Sequence, residues 1–158
     1  MTVVDPNALK ILARIPVAKK VQRIALFVDD RREFAATQRQ PRLAVIDAAT
    51  NDVSTWVALP TTACGNAATP DGKWLVVVFP RTNQAGIVDL QTLKMVRQFD
   101  VPKPPQEVLV PPDGAVAYVS RTASRKIAVI DLKDWKVEKL ITAGLGADGL
   151  AWAAAEKL

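Results

Sequence analysis

The sequence predicts an all-β protein built from repeated four-stranded units, and two observations support that prediction. A pair of branched apolar residues followed by aspartate recurs with a constant 42-residue period, ending at Asp5, Asp47, Asp89 and Asp131. The triplet Pro70-Asp71-Gly72 also returns one period later, as Pro112-Asp113-Gly114. One fixed period along the whole chain indicates stacked copies of a single structural unit.

Each copy contains four short predicted strands separated by turn residues. In the second complete copy the strands are expected at 65–69, 74–79, 85–88 and 95–99, with a Pro-Asp-Gly turn after the first and an Asp-initiated turn after the third. The third copy repeats this pattern at 108–110, 116–120, 126–130 and 136–141. Repeats of about 40 to 50 residues with four strands each are typical of β-propeller blades. We therefore expect a β-propeller that supplies about half to four-sevenths of a typical ring.

The repeat phase also predicts how one domain over residues 1–158 is divided. Complete blades are expected at 23–60, 65–100 and 107–142, with partial blades at 2–16 and 149–158. With strands lettered A to D along a blade, the first partial blade supplies C and D, and the second supplies A over 149–154. A blade with no strand B would leave costly unpaired backbone groups. We therefore expect either two self-associating half rings, as a homodimer, or a fragment of a longer ring.

The composition excludes several classes of function. The 158 residues include no histidine, which removes the commonest metal ligand and general base. The single cysteine, Cys64, excludes an internal disulfide, and its repeat phase places it close to the channel mouth, where a small, partly buried side chain is expected. The apolar runs are too short for a membrane helix, and no signal peptide is visible after Met1. No cofactor is expected.

Segments of the third copy also carry a family resemblance. They are Pro112-Asp113-Gly114, Tyr118-Val119-Ser120 and Ile127-Ala128-Val129-Ile130-Asp131-Leu132. Together they resemble the YVTN-type repeat of surface-layer and YncE-like propellers. The resemblance implies that strand A lines the channel and strand D is outermost, that the function is one of varied binding roles, and that relatives are usually periplasmic or extracellular. In the first copy no glycine follows Asp29, so the sequence leaves the geometry of that turn open.

Sorting the loops by the two ends of the blades predicts a binding face. The D-to-A and B-to-C loops emerge on one face, here named the basic face, where ten Lys and Arg residues against three carboxylates give a net charge of +7. The A-to-B and C-to-D turns form the opposite, acidic face, with a net charge of −7. The predicted ligand-binding residues are Lys19, Lys20, Arg23, Arg39, Arg42, Arg81, Arg121, Arg125 and Lys126.

A face of one sign concentrates ligands of the opposite sign. The expected ligand is anionic: a nucleic acid backbone, an acidic glycan or a phosphorylated metabolite, and the YncE-like resemblance implies nucleic acid as one candidate. The alternative is that turn chemistry places Asp on one face and leaves solvated Lys and Arg on the other.

The predicted function is a non-enzymatic binding or scaffold module. One alternative is a fragment or self-assembling half ring with no ligand of its own. Another is a lactonase-like enzyme, for which no set of acid, base and metal ligands is recognisable. The recurring aspartates are expected to start Asx turns, not to bind metal. The four tryptophans share no repeat phase and are expected to pack, with Trp152 in the inner strand nearest a channel ligand: Trp56, Trp74, Trp135 and Trp152.

Overall fold

The computed structural model describes residues 1–102 and 104–154, and in this part of the chain the regular structure is fourteen β-strands and one 3-10 turn, Thr122–Ser124. The last four residues of the predicted partial blade, 155–158, and Lys103 of the basic face lie outside the described residues. No helix in the described part is both long and apolar enough to cross a membrane.

The strands form one two-stranded and three four-stranded antiparallel sheets, each in chain order. The two-stranded sheet contains β1 (Thr2–Asp5) and β2 (Lys10–Arg14). Blade 1 contains β3 (Val21–Leu26), β4 (Arg32–Thr37), β5 (Arg42–Asp47) and β6 (Asp52–Ala58). Blade 2 contains β7 (Asn66–Ala68), β8 (Trp74–Phe79), β9 (Gln84–Asp89) and β10 (Lys94–Asp100). Blade 3 contains β11 (Val108–Leu109), β12 (Val116–Arg121), β13 (Lys126–Asp131) and β14 (Lys136–Thr142). This is the partial β-propeller that the repeat predicts.

Each recurring aspartate starts the turn between the third and fourth strands. In blade 2, Asp89 Oδ1 accepts the backbone N–H groups of Gln91 and Thr92, both at 2.8 Å. Equivalent pairs of bonds form at the other three copies, Asp5, Asp47 and Asp131. Backbone N–H donors hold the pKa of Asp89 below its ordinary value, because they stabilise the charged carboxylate. The predicted Asx turns are confirmed.

The turn between the first two strands is the same in all three blades. Gly72 and Gly114 adopt left-handed conformations with φ of 69° and 64°, and Asp30 takes their place in blade 1 with φ of 57°. Asp30 N donates to Phe27 O at 3.0 Å, as Gly72 N donates to Thr69 O at 2.9 Å. The turn that the sequence left open in the first copy therefore matches the other two, because aspartate tolerates the left-handed region that glycine occupies elsewhere.

Neighbouring blades pack through opposite faces of their sheets. In β8, Leu75, Val77 and Phe79 belong to the apolar cluster shared with blade 1, whereas Val76 and Val78 belong to the cluster shared with blade 3. Alternation along a strand produces this division, and it explains why β8 is apolar at every position. A third cluster joins the β1–β2 sheet to blade 1 through Ile15, Val17 and Ile46.

The first strand of each blade is innermost. β3 contacts β7, and β7 contacts β11, whereas the fourth strands, β6, β10 and β14, are mostly exposed. The predicted inner strand at 149–154 is not formed in the described residues, and Trp152 there is exposed. The three complete blades pair strand A with strand B, and no residue of the described chain pairs with 149–154.

Candidate functional site

The structure distributes the predicted basic residues over three blades and does not gather them into one cluster. Five are exposed on loops that enter or leave the basic face: Lys19, Lys20, Arg39, Arg81 and Arg125. The other four, Arg23, Arg42, Arg121 and Lys126, are partly or fully buried. Their surroundings separate the residues that are free to meet a ligand from those that are already paired or covered.

Three of the predicted residues meet at one cavity beside blade 1. Lys19 precedes β3, Arg39 lies between β4 and β5, and Arg42 begins β5. They line a cavity of about 380 Å³ together with Val17, Ala18 and Gln40, here named the basic cavity. The described residues that line it include no carboxylate, and none of its three cations forms a salt bridge within the described chain. The cavity therefore concentrates uncompensated positive charge.

Two contacts hold the Arg42 guanidinium at this cavity. Its Nε donates to Gln40 Oε1 at 2.9 Å, and its Cζ lies 3.7 Å from the ring centroid of Trp56. Arg42 pairs with Ala58 across β5 and β6, so Trp56, two residues earlier, is its diagonal neighbour on the same sheet face. A cation above an indole is stabilised by the ring quadrupole. Trp56 therefore orients Arg42, a role that its lack of a shared repeat phase does not reveal.

Arg23 is instead neutralised at the inner end of the blades. Its Nε lies 2.9 Å from Glu107 Oε2, and its Nη2 donates to Asp148 Oδ1 at 2.9 Å. Burial raises the pKa of Glu107, opposed by the N–H of Val108 and by Arg23. This ion-pair network removes Arg23 from the set of cations available to an anionic ligand.

Arg121 is covered by protein. Only 3% of the residue is exposed, and its Nε and Nη1 have no hydrogen-bond partner among the described residues. Arg121 lies on the same face of β12 as Val119, which packs on blade 2. Burial lowers the pKa of Arg121. Arg121 pairs in register with Lys126 at the end of blade 3, so this pair and Arg125 lie apart from the basic cavity.

Cys64 is buried beside the inner ends of blades 2 and 3. Its Sγ donates to Gln106 Oε1 at 3.4 Å, and burial raises the pKa of the thiol. A raised pKa keeps the thiol protonated at neutral pH and therefore poorly nucleophilic. No group of three potential metal-ligating side chains occurs in the described part of the chain.

Comparison with known proteins supports the fold. No protein-family model matches the chain, and no curated protein matches it. A solved structure that does match is hydrazine synthase from Kuenenia stuttgartiensis, which is 27% identical with a TM-score of 0.73 over 78% of this chain. The present chain covers 36% of that protein's chain. Hydrazine synthase is a protein that contains a β-propeller, and the similarity therefore agrees with the partial propeller described above.

Proposed function

We propose that the chain is a propeller binding module that holds an anionic ligand at the basic cavity. The observation that carries the proposal is that Lys19, Arg39 and Arg42 line one cavity with no carboxylate among its described lining residues. Charged hydrogen bonds from Arg and Lys to phosphate or carboxylate oxygens are stronger than neutral ones. The cavity offers three such donors.

The remaining exposed cations of the basic face support this site from a distance. Lys20, Arg81 and Arg125 are exposed on the same face. Their charges raise the local concentration of anions and accelerate encounter. Arg42, by contrast, is held in place by Gln40 and Trp56, so less conformational entropy is lost when its free N–H groups bind a ligand.

The family resemblance agrees with a binding role. The segments of blade 3 resemble the YVTN-type repeat, and YncE-like propellers suggest nucleic acid as one anionic ligand. The activity named in hydrazine synthase belongs to a chain of which the present one covers 36%. We propose non-enzymatic binding for this chain, because binding needs only the fixed cations of the basic cavity.

Removing Arg42 tests the proposal. With a labelled single-stranded DNA oligonucleotide as the polyanion probe, Arg42→Ala is expected to weaken binding about tenfold, since a charge-assisted hydrogen bond contributes about 1.5–3 kcal/mol. Fluorescence anisotropy at several salt concentrations measures both affinity and salt dependence. The wild-type protein should lose affinity steeply with salt, and the variant should lose about 0.7 from the slope for each phosphate contact removed.

The matched control is Arg31→Ala, which removes an exposed arginine from the acidic face. It is expected to leave the affinity nearly unchanged. Pyrophosphate competition then separates two ligand sizes: displacement of the oligonucleotide indicates a site for a small phosphorylated ligand, and resistance indicates a polymer. Equal weakening by the two arginine variants, or an affinity independent of salt, would contradict the basic cavity as the site.

A second candidate function is assembly with another copy of the chain, which we propose because apolar side chains remain exposed along inner strand β3 and on β2. Leu26 on β3 is 61% exposed and Leu12 on β2 is 64% exposed. Ile24 on β3 is also 47% exposed and lies on the same face of the strand as Leu26, and exposed apolar surface of this kind often marks a protein interface. Light scattering after size exclusion is expected to give twice the chain mass, and Leu26→Lys should restore the monomer mass. A monomer at every concentration would rule this candidate out.

A further inference from the structure

A second cavity lies on the acidic face, between blades 2 and 3, away from the basic cavity. Its volume is about 200 Å³. Two indole rings form one side, with Trp74 and Trp135 in an edge-to-face arrangement 6.0 Å apart at 80°. The cavity is also lined by Thr69, Asp71, Asp113 and Leu132. We name it the tryptophan cavity.

The repeat shows what occupies the equivalent place between blades 1 and 2. Arg32 stands one repeat period before Trp74, and its guanidinium Cζ lies 4.1 Å from the ring centroid of Phe27. Arg32 Nη1 also donates to the carbonyl of Leu90 at 3.1 Å. Phe27 stands one period before Thr69, and Leu90 stands one period before Leu132. At the first junction the chain therefore fills this place with its own guanidinium.

Three lining positions differ between the first junction and the junction of blades 2 and 3. Thr69 replaces the bulky Phe27, and its hydroxyl is turned to Asp71 Oδ1 at 2.6 Å. Trp74 replaces Arg32, so an aromatic surface stands where the first junction has a cation. Trp135 replaces Leu93, so two indoles stand beside the small Thr69 side chain, and the space between them and the turn residues Asp71 and Asp113 forms the tryptophan cavity.

The polar atoms around this space remain suited to a cation. No residue of the described chain donates a hydrogen bond to the Leu132 carbonyl, whose counterpart at Leu90 accepts from Arg32. Asp113 uses Oδ1 to accept the N–H of Ala115 at 3.1 Å, and no hydrogen bond or salt bridge to its Oδ2 occurs in 1–102 and 104–154. Asp71 has an exposed partner in Lys73, at 3.7 Å.

We propose that the tryptophan cavity binds a guanidinium group from outside the chain, beside the Leu132 carbonyl, whose counterpart at Leu90 accepts a hydrogen bond from Arg32. The π surface of the tryptophan pair attracts the cation, Asp113 accepts its N–H groups with charge assistance, and the Leu132 carbonyl accepts as the Leu90 carbonyl does. The surplus of carboxylates on the acidic face favours approach of a cation. The guanidinium comes from a free small molecule or from an arginine side chain of a partner.

Nuclear magnetic resonance of the indole N–H groups in the full chain tests the proposal directly. The probes are methylguanidinium, a capped Gly-Arg-Gly peptide, and the same peptide with citrulline, a neutral isostere of arginine. Saturable shifts of the Trp74 and Trp135 signals are expected with a guanidinium probe, at least tenfold weaker with citrulline. Shifts with methylguanidinium would show that a free small cation is sufficient for binding. Shifts with the arginine peptide alone would show that the guanidinium comes from an arginine of a partner. Equal shifts with arginine and citrulline, or none with either cation, would overturn the proposal.

Variants locate the binding within the cavity. Asp113→Asn is expected to weaken binding at least threefold, whereas Asp29→Asn, at the corresponding turn position of blade 1, is the matched control and should have no effect. The double variant Thr69→Phe with Trp74→Arg introduces the ring and the guanidinium of the first junction beside Trp135 and should abolish binding while circular dichroism stays unchanged. If that double variant misfolds, Asp113→Asn and the citrulline peptide still decide the question. Binding that survives both cavity variants would place the site elsewhere and refute the proposal.

Discussion

Replacing Gly65 by alanine is expected to lower the free energy of unfolding by about 2–3 kcal/mol, because the added methyl has no room. A Cβ at this position would lie 2.6 Å from the carbonyl oxygen of Gln106 and 2.8 Å from the Cα of Glu107. Both atoms belong to the backbone leading into β11, so no side-chain rotation relieves the contact. Blades 2 and 3 would have to separate at their inner ends, where β7 and β11 meet.

The chain supplies a matched control for this substitution. A methyl group added at Gly144 would meet no other atom within 4 Å, and Gly144 is not among the glycines with positive φ. Gly144→Ala is expected to change the free energy of unfolding by less than about 0.5 kcal/mol. Urea denaturation followed by circular dichroism measures both variants. Equal stabilities would show that the inner ends of the blades are not closely packed.

Replacing Phe79 by alanine is expected to cost about 3–5 kcal/mol, the range for removal of a buried phenylalanine. Phe79 ends β8 and is fully buried in the cluster between blades 1 and 2. Its ring also covers Gly86, where an added Cβ would lie 2.7 Å from Phe79 Cε2. The loss combines reduced apolar burial with a cavity that the neighbouring strands of two blades cannot collapse to fill.

Val96→Ala is the control for Phe79→Ala, since Val96 on β10 is 55% exposed. A change below about 0.5 kcal/mol is expected there. The midpoint of urea unfolding should fall for Phe79→Ala with a similar slope, which indicates reduced stability without a change in the surface exposed on unfolding. A midpoint for Phe79→Ala as high as that of Val96→Ala would contradict the packing between the first two blades.

The fold is predictable from the sequence because its signals are local and repeated. Each Asp turn and each Pro-Asp-Gly turn depends on residues a few positions apart, so the same spacing transfers from one blade to the next. The strand expected at 74–79 is β8. The strand expected at 65–69 is shorter, Asn66–Ala68, because Thr69 enters the turn and its N–H donates to Trp74 O at 2.8 Å.

The site is less predictable, because loop position gives the face of a charge but not its surroundings. Arg39 and Arg81 occupy equivalent loops, yet only Arg39 lies at the basic cavity. Loop position alone places Arg23 among the free cations. Its partner Glu107, however, stands two repeats later at the same repeat position, which Gly65 occupies in the intervening repeat. That pair could be found in the sequence by looking for opposite charges at the same repeat position of blades 1 and 3. The burial of Arg121 depends on packing between blades, which no local motif reports.

The ion pair of Arg23 and Glu107 joins two blades that are not neighbours in the chain. In most repeat arrays each unit touches only the next, so stability is a sum over adjacent pairs and the ends fray independently. Here blade 1 is linked to blade 2 through β3 and β7, blade 2 to blade 3 through β7 and β11, and blade 3 back to blade 1 through Glu107. Each of the three blades is therefore linked to both of the others. Loosening blade 2 would also strain the Arg23–Glu107 ion pair, to which blade 2 contributes no residue.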